Sequence, residues 1–143
     1  MAVSKIREIA ARLKMKTQIV VATKVLEMVN ADKELLTQLN KQQLFENEDS
    51  KGKSLGTYES ISYAQRKGRA TVDLNLTGDF YAVFFVDTKE FPVVFSSRDN
   101  KTKWLTKKYG QDIFGLSKES LNVYIQGNFK KRFAAYFRAL LHV

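Results

Sequence analysis

Cysteine is absent from this 143-residue chain, and histidine, proline and tryptophan each occur once. Without cysteine there are no disulfides and no thiolate metal sites, so stability has to come from packing, and the composition suits a reducing compartment. The lone histidine, His142, has no cysteine to join it, which leaves zinc without a ligand set. No apolar run approaches the roughly twenty residues that span a bilayer, and the opening Ser4-Lys5-Ile6-Arg7-Glu8-Ile9 is amphipathic rather than continuously apolar. Neither secretion nor membrane insertion is expected.

The motifs of common enzyme classes are missing as well. There is no Gly-x-Ser-x-Gly nucleophile turn and no dinucleotide glycine fingerprint; Gly52-Lys53-Ser54 lacks the upstream glycine and the preceding buried strand of a phosphate loop. Of the acids, only Asp73, Asp79 and Asp112 lie beside apolar runs, and each reads as a turn or cap residue rather than half of an acid–base pair. No catalysis and no cofactor are expected, and a toxin-like or nuclease domain lacks an acidic or histidine metal cluster.

What is present is apolar and basic. Hydrophobic residues make up 44% of the chain and ten are phenylalanine, which places it among globular proteins, and its length suits one domain with one core. Lysine and arginine outnumber aspartate and glutamate by 24 to 15, a formal charge of +9, so an anionic partner is implied. The excess is uneven. The stretch from Glu27 to Asp49 is acidic, whereas residues 98 to 108 hold Arg98, Lys101, Lys103, Lys107 and Lys108 against Asp99 alone.

Periodicity divides the chain. Ile6, Ile9, Ala10 and Leu13, then Ile19, Ala22, Val25, Leu26 and Val29, recur at helical spacing, and after a break at Asn30-Ala31-Asp32 the pattern resumes through Leu35, Leu36 and Leu39 toward Phe45. From about 47 to 70 no stripe is visible, and a long irregular loop is expected, mobile until a partner orders it. Val72, Leu74 and Leu76 alternate with polar residues as in a half-buried strand, Thr77-Gly78-Asp79 turns the chain, and Phe80 to Thr88 reads as a strand apolar on both faces. Lys89-Glu90 then turns a hairpin into Pro92-Val93-Val94-Phe95-Ser96.

Trp104 and Tyr109 belong to a short helical segment ended by Gly110, and packing against the sheet is the preferred reading of both rings. Ser117 caps the last helix, on which Leu121, Ile125, Phe129, Phe133, Phe137 and Leu141 recur every four residues and are expected to form one buried stripe. Gly78 and Gly115 read as turns with positive φ, the first setting the approach to Phe80, the second aiming Phe114 and Leu116 into the core. The fold class is therefore α+β, with N-terminal helices and a long C-terminal helix packed on a small antiparallel sheet.

Four signals stand in order along the middle of the chain: Phe45 with the acidic, Gly52-containing turn to Ser54; the basic Gln65-Arg66-Lys67-Gly68-Arg69; Leu76-Thr77-Gly78-Asp79-Phe80; and Ile113-Phe114-Gly115-Leu116-Ser117. In this order they resemble the virion-morphogenesis and tail-completion proteins of tailed bacteriophages, although Ile113-Phe114 stands where that family more often has Phe-Leu. The resemblance covers about half of the chain.

It implies a non-enzymatic protein of the head–tail neck, assembled in the bacterial cytoplasm. Such a subunit forms a homo-oligomeric ring around the DNA channel and touches portal, adaptor or tail proteins and, non-specifically, genomic DNA. On this view Tyr81, Val83, Phe85, Phe45, Tyr58 and Tyr63 are candidates for the subunit interface. Gly52, Thr77, Gly78, Asp79 and Gly115 shape turns, and Lys101, Lys103, Lys107 and Lys108 face DNA or an acidic neighbour. The alternative is a basic nucleic-acid-binding domain built on residues 98 to 108.

Overall fold

A computed structural model describes residues 2–75 and 78–141; Leu76 and Thr77, the latter a candidate turn residue, lie outside it. The architecture is α+β: helices, the longest at the two ends of the chain, packed on one two-stranded antiparallel sheet. Helix α1 (Ala2–Ala31) is followed after one residue by α2 (Lys33–Phe45), with the break where the sequence places it. The joint is fixed from outside. Asp32 accepts hydrogen bonds from the Tyr124 hydroxyl, at 2.8 Å, and from Arg132, which ties it to the C-terminal helix.

The segment expected to be an irregular loop is structured. Asn47 follows α2 at φ +71°, a left-handed conformation that asparagine tolerates, and its amide donates to the carbonyls of Gly56 (2.8 Å) and Val72 (2.7 Å). A short helix, α3 (Ile61–Lys67), then runs from a Ser60 cap to Gly68 at φ +71°. It shows no apolar stripe because none of its residues is fully buried. Backbone bonds from Tyr58 to Ala70 and from Val72 to Gly56 close the segment at its base.

Two expected strands are corrected. The alternation of Val72 and Leu74 with polar neighbours forms no strand among the described residues, since Leu74 turns at φ +56° and Val72, Asp73 and Leu74 are buried in succession. The run from Phe80 begins as a helical turn, α4 (Asp79–Ala82), and becomes strand only at β1 (Phe84–Asp87). A helical turn brings Phe80 and Phe84 together edge-to-face, 5.7 Å between centroids, whereas the alternative strand would have exposed one face of the run. Gly78 at φ +81° starts that turn. β1 pairs with β2 (Val94–Ser97) in the register Phe84 opposite Ser97 and Val86 opposite Phe95, the hairpin that the sequence predicts.

Helix α5 (Thr102–Tyr109) ends at Gly110 and leads to the 113–117 segment, which is held by α2 through two side-chain amides. Asn40 donates to the Ile113 carbonyl (3.1 Å) and accepts from the Gly115 N–H (2.8 Å). Gln43 donates to the Gly115 carbonyl (3.1 Å) and accepts from the Ser117 N–H (2.6 Å). Each amide thus presents what a neighbouring strand would present, and the buried backbone is satisfied without a sheet.

Ser117 caps the last helix as predicted, its hydroxyl accepting from the Ser120 N–H. The helix comprises α6 (Lys118–Tyr124), a π-helical turn (Ile125–Phe129) and α7 (Lys130–Leu141). The expected single buried stripe is corrected: Leu121 is exposed, while Phe129, Phe133 and Phe137 are half-buried and follow one another at 5.5 and 5.6 Å. A four-residue repeat drifts by about 40° per step on a helix of 3.6 residues per turn, so it cannot keep to one face. The π turn absorbs part of that drift, and Tyr124 is the ring fully buried there. The Leu141 side chain lies outside the described residues.

The core has two parts. Leu44, Val72, Leu74, Phe80, Phe84, Leu105 and Ile113 form the larger, with Tyr58 and Tyr109 packed against it; Leu36, Val86 and Tyr124 form the smaller, between α2, the sheet and the last helix.

Candidate interaction surfaces

Helix α5 lies with Leu105 in the core, Tyr109 half-buried against that core as the sequence reading prefers, and its lysines and Trp104 outward. Lys101, Lys103, Lys107 and Lys108 are all exposed. Lys101 reaches Asp79 at 3.9 Å, so it belongs to the turn before β1 as much as to a basic patch. Trp104 is 54% exposed, which overturns the expectation that it packs on the sheet. The Lys108 ammonium sits 5.4 Å from the centre of the Trp104 ring and 5.5 Å from that of Tyr109, bridging the two.

Opposite α5 stand Tyr58 and Tyr63, from the segment that carries α3. Their rings meet edge-to-face at 4.9 Å. Between the two walls is a groove of about 240 Å³, floored by Val72, Leu74 and Leu105. Residues that the sequence offers for different tasks, Tyr58 and Tyr63 for a subunit interface and Lys108 for an anion, therefore line one site, while Lys101, Lys103 and Lys107 lie outside its lining. A neighbouring hollow continues past Lys108 and Tyr109 to Lys51, Lys53 and Asp112. There Lys51 pairs with Asp112 at 2.8 Å; that hydrogen bond and charge raise the pKa of the exposed lysine.

The tyrosine wall is held by Asp73, a residue that reads in the sequence as a simple turn former. Its carboxylate is buried, 3% exposed, and accepts from the Tyr58 hydroxyl (2.8 Å), Lys67 (2.9 Å) and the Asn75 N–H (3.1 Å), with the Arg69 guanidinium 3.4 Å away. Burial opposes its charged form, and the hydrogen bonds from Lys67, Asn75 and Tyr58 outweigh that and hold its pKa below the usual value. Burial and the nearby carboxylate push Tyr58 up to about 12. Tyr81 donates its hydroxyl to the Asp73 carbonyl, and burial raises its pKa too. Lysine and arginine spaced six and four residues before an aspartate were the available signal, but such spacings usually mark a solvated face.

The remaining candidates are dispersed. Phe45 is exposed beneath the Arg69 guanidinium at 4.8 Å, Val83 is exposed, and Phe85 is half-buried under Arg98 at 4.8 Å. Gly52 (φ +73°) lies in the exposed turn after Asp49, whose carboxylate accepts from the Lys51 and Lys53 N–H groups. Asp79 opens α4. Gly115 turns at φ +109°, a conformation strained for any residue with a side chain, and a Cβ there would stand in contact with Ser50 at 3.4 Å.

A second surface lies on α1. Every described side chain from Val3 to Val20 is exposed, including Ile6 (65%), Leu13 (60%) and Ile19 (62%), whereas Val21, Ala22, Lys24, Val25, Leu26 and Met28 are partly or fully buried. Lys24 lies over the Tyr136 ring at 5.1 Å, which marks where α7 still covers the helix. The first half of α1 is thus an arm of about 27 Å. Lys5, Arg7, Arg12, Lys14 and Lys16 make it basic, with Glu8 paired to Arg12 at 2.6 Å.

No group of three or more histidine, cysteine, aspartate or glutamate side chains able to hold a metal occurs among the described residues, and no helix there is long and apolar enough to cross a membrane. Comparison with protein-family models, with curated proteins and with solved structures finds no match for this chain.

Proposed function

We propose that the chain is a non-enzymatic structural subunit of the head–tail neck of a tailed bacteriophage, acting in tail completion or head–tail joining as one copy of a ring around the DNA channel. The observation that supports this reading most is the α1 arm. An amphipathic helix that leaves Val3, Ile6, Leu13 and Ile19 in water gains nothing from them in the single chain, while covering each by a neighbour is worth about 1.5–3 kcal/mol. Its bases favour an acidic neighbour, and the exposed Glu27, Glu34 and Glu46 of a second copy meet that need. The ordered signals from Phe45 to Ser117 supply the assignment to the neck.

The test is the mass of the full chain in solution, with electron microscopy of the particles. The wild type is expected to assemble into closed rings, and Ile6→Asp with Leu13→Asp to give a folded monomer. A wild type that stays monomeric up to high micromolar concentration, or a double variant that assembles unchanged, overturns the proposal.

A further inference from the structure

We infer that the groove between α3 and α5 binds a single strand of nucleic acid, with unpaired bases against Trp104 and the tyrosines and with phosphates at the lysines. This goes beyond the assembly reading and does not depend on it. The argument begins with an energetic oddity. A tryptophan half in water beside a groove floored by Val72, Leu74 and Leu105 leaves a large flat apolar surface uncovered, and Tyr58, Tyr63 and Tyr109 add three more rings around the same 240 Å³ space.

Cations stand over these rings. Lys108 lies over Trp104 and Tyr109 and Arg66 over Tyr63 at 5.8 Å, while Lys103 and Lys107, one helical turn apart, line the exposed side of α5; Lys67, over Tyr58 at 6.0 Å, is already paired with Asp73 and serves to hold that ring. Rings for stacking set among cations for a backbone are the two elements of a single-strand platform, and the ring faces tolerate any base.

Charge selects among occupants. Glu59 and Lys108 are the charged residues lining the groove, and the exposed Arg66, Lys103 and Lys107 beside it tip the surroundings positive. The α1 arm of a second copy is itself basic, so it is repelled here. A duplex keeps its bases stacked inside and offers the rings nothing, so it meets only the lysines. An unpaired strand satisfies both, and the adjoining hollow, which shares Lys108 and Tyr109 and adds Lys53, gives it a path onward.

Trp104 is the only tryptophan, so its fluorescence reports this site alone. The full chain is titrated with thymidine and uridine oligonucleotides of about a dozen residues, a length within the range of known single-strand sites. The controls are a duplex of equal length, polyphosphate and an acidic peptide. The expected result is quenching by one or both single strands, the two arms showing whether DNA or RNA is preferred.

Affinity measured on a labelled strand should drop about tenfold or more in Trp104→Ala, whose fold is checked by circular dichroism. The Lys103→Ala, Lys107→Ala variant should flatten the salt dependence by roughly 0.7 per lysine removed. Equal effects from polyphosphate or duplex, undiminished binding by Trp104→Ala, no binding at low salt, or quenching by the acidic peptide in place of the strands would each overturn the inference.

Discussion

The region around Asp73 and the first half of α1 solve opposite problems. Around Asp73 a short, mostly polar segment is made rigid by satisfying its polar groups: one carboxylate collects a tyrosine, a lysine and a backbone N–H, and the chain from Tyr58 to Asn75 closes over the core. In α1 a long run of good helix-forming residues keeps its apolar side chains in water from Val3 to Val20. An isolated helix of that length is marginal in water, so the arm borrows its order from the half of α1 that packs on α2 and α7. The lesson is that polarity is a poor guide to exposure here: Asn40, Gln43 and Asp73 are buried, while Ile6, Leu13 and Ile19 are not.

The largest effect that tests this comparison is expected from Asp73→Ala. It removes the partner of two partly buried cations, Lys67 and Arg69, and leaves them uncompensated, a change that costs about 3–5 kcal/mol in denaturant unfolding. A loss below about 1 kcal/mol would show that the segment is held by its apolar floor instead. The pH dependence carries the same contrast. Because the folded-state pKa of Asp73 is lowered, its contribution is fully present above about pH 4, the unfolded range, and is lost as the pH falls through the lower folded value. The stability difference between wild type and Asp73→Asn should therefore be steady at neutral pH and shrink in acid; a difference that grows on acidification contradicts the assignment.

Next in size is Asn40→Ala, which strips the Ile113 carbonyl and the Gly115 N–H of the partners that the fully buried amide supplies and should cost about 2–4 kcal/mol. Gly115 hydrogen exchange should accelerate with it. If exchange at Gly115 is unchanged, the clamp is not what holds the 113–117 turn.

These positions also mark how much of the molecule was legible in its sequence. The α+β class, the break at Asp32, the Ser117 cap, the hairpin after Lys89-Glu90 and the glycine turns follow from local chemistry, and all are present. The Asn40 and Gln43 clamp does not, because an amide at helical spacing looks the same whether it faces water or a backbone 73 residues away. Nor was α3 visible, since a helix with no fully buried face carries no period. The alternation at Val72 and Leu74 misled because Leu74 takes a positive φ that only the surrounding contacts can impose. At the groove Lys108, Tyr58 and Tyr63 were each legible as residues of interest, but their convergence, and the exposure of Trp104, are products of tertiary packing.

A smaller loss is expected at Phe133. Truncating a fully buried phenylalanine costs about 3–5 kcal/mol, and Phe133, half-buried between Phe129 and Phe137, should lose roughly half of that on change to alanine. The full loss would mean that α7 is covered more completely in solution, as it would be if a second copy lay along it; repeating the unfolding at several protein concentrations separates that case, since only an oligomer makes the midpoint depend on concentration.

The smallest effect on stability, and the sharpest test of the contrast, belongs to the arm. Leu13→Ala removes a large aliphatic group that touches no core, so unfolding of the dilute monomer should change by no more than about 0.5 kcal/mol, the range of ordinary surface substitutions. The same change should weaken self-association, because the lost methyl groups are those a neighbour covers, each buried CH2 being worth about 0.8 kcal/mol. Sedimentation at graded concentrations measures the second quantity while denaturant unfolding at high dilution measures the first. A body substitution such as Asn40→Ala should show the reverse pattern, with large loss of stability and oligomer affinity altered only through the folded fraction. If Leu13→Ala instead destabilises the monomer by 2 kcal/mol or more, as core leucines do, the arm packs on its own body, and α1 holds no face in reserve for a neighbour.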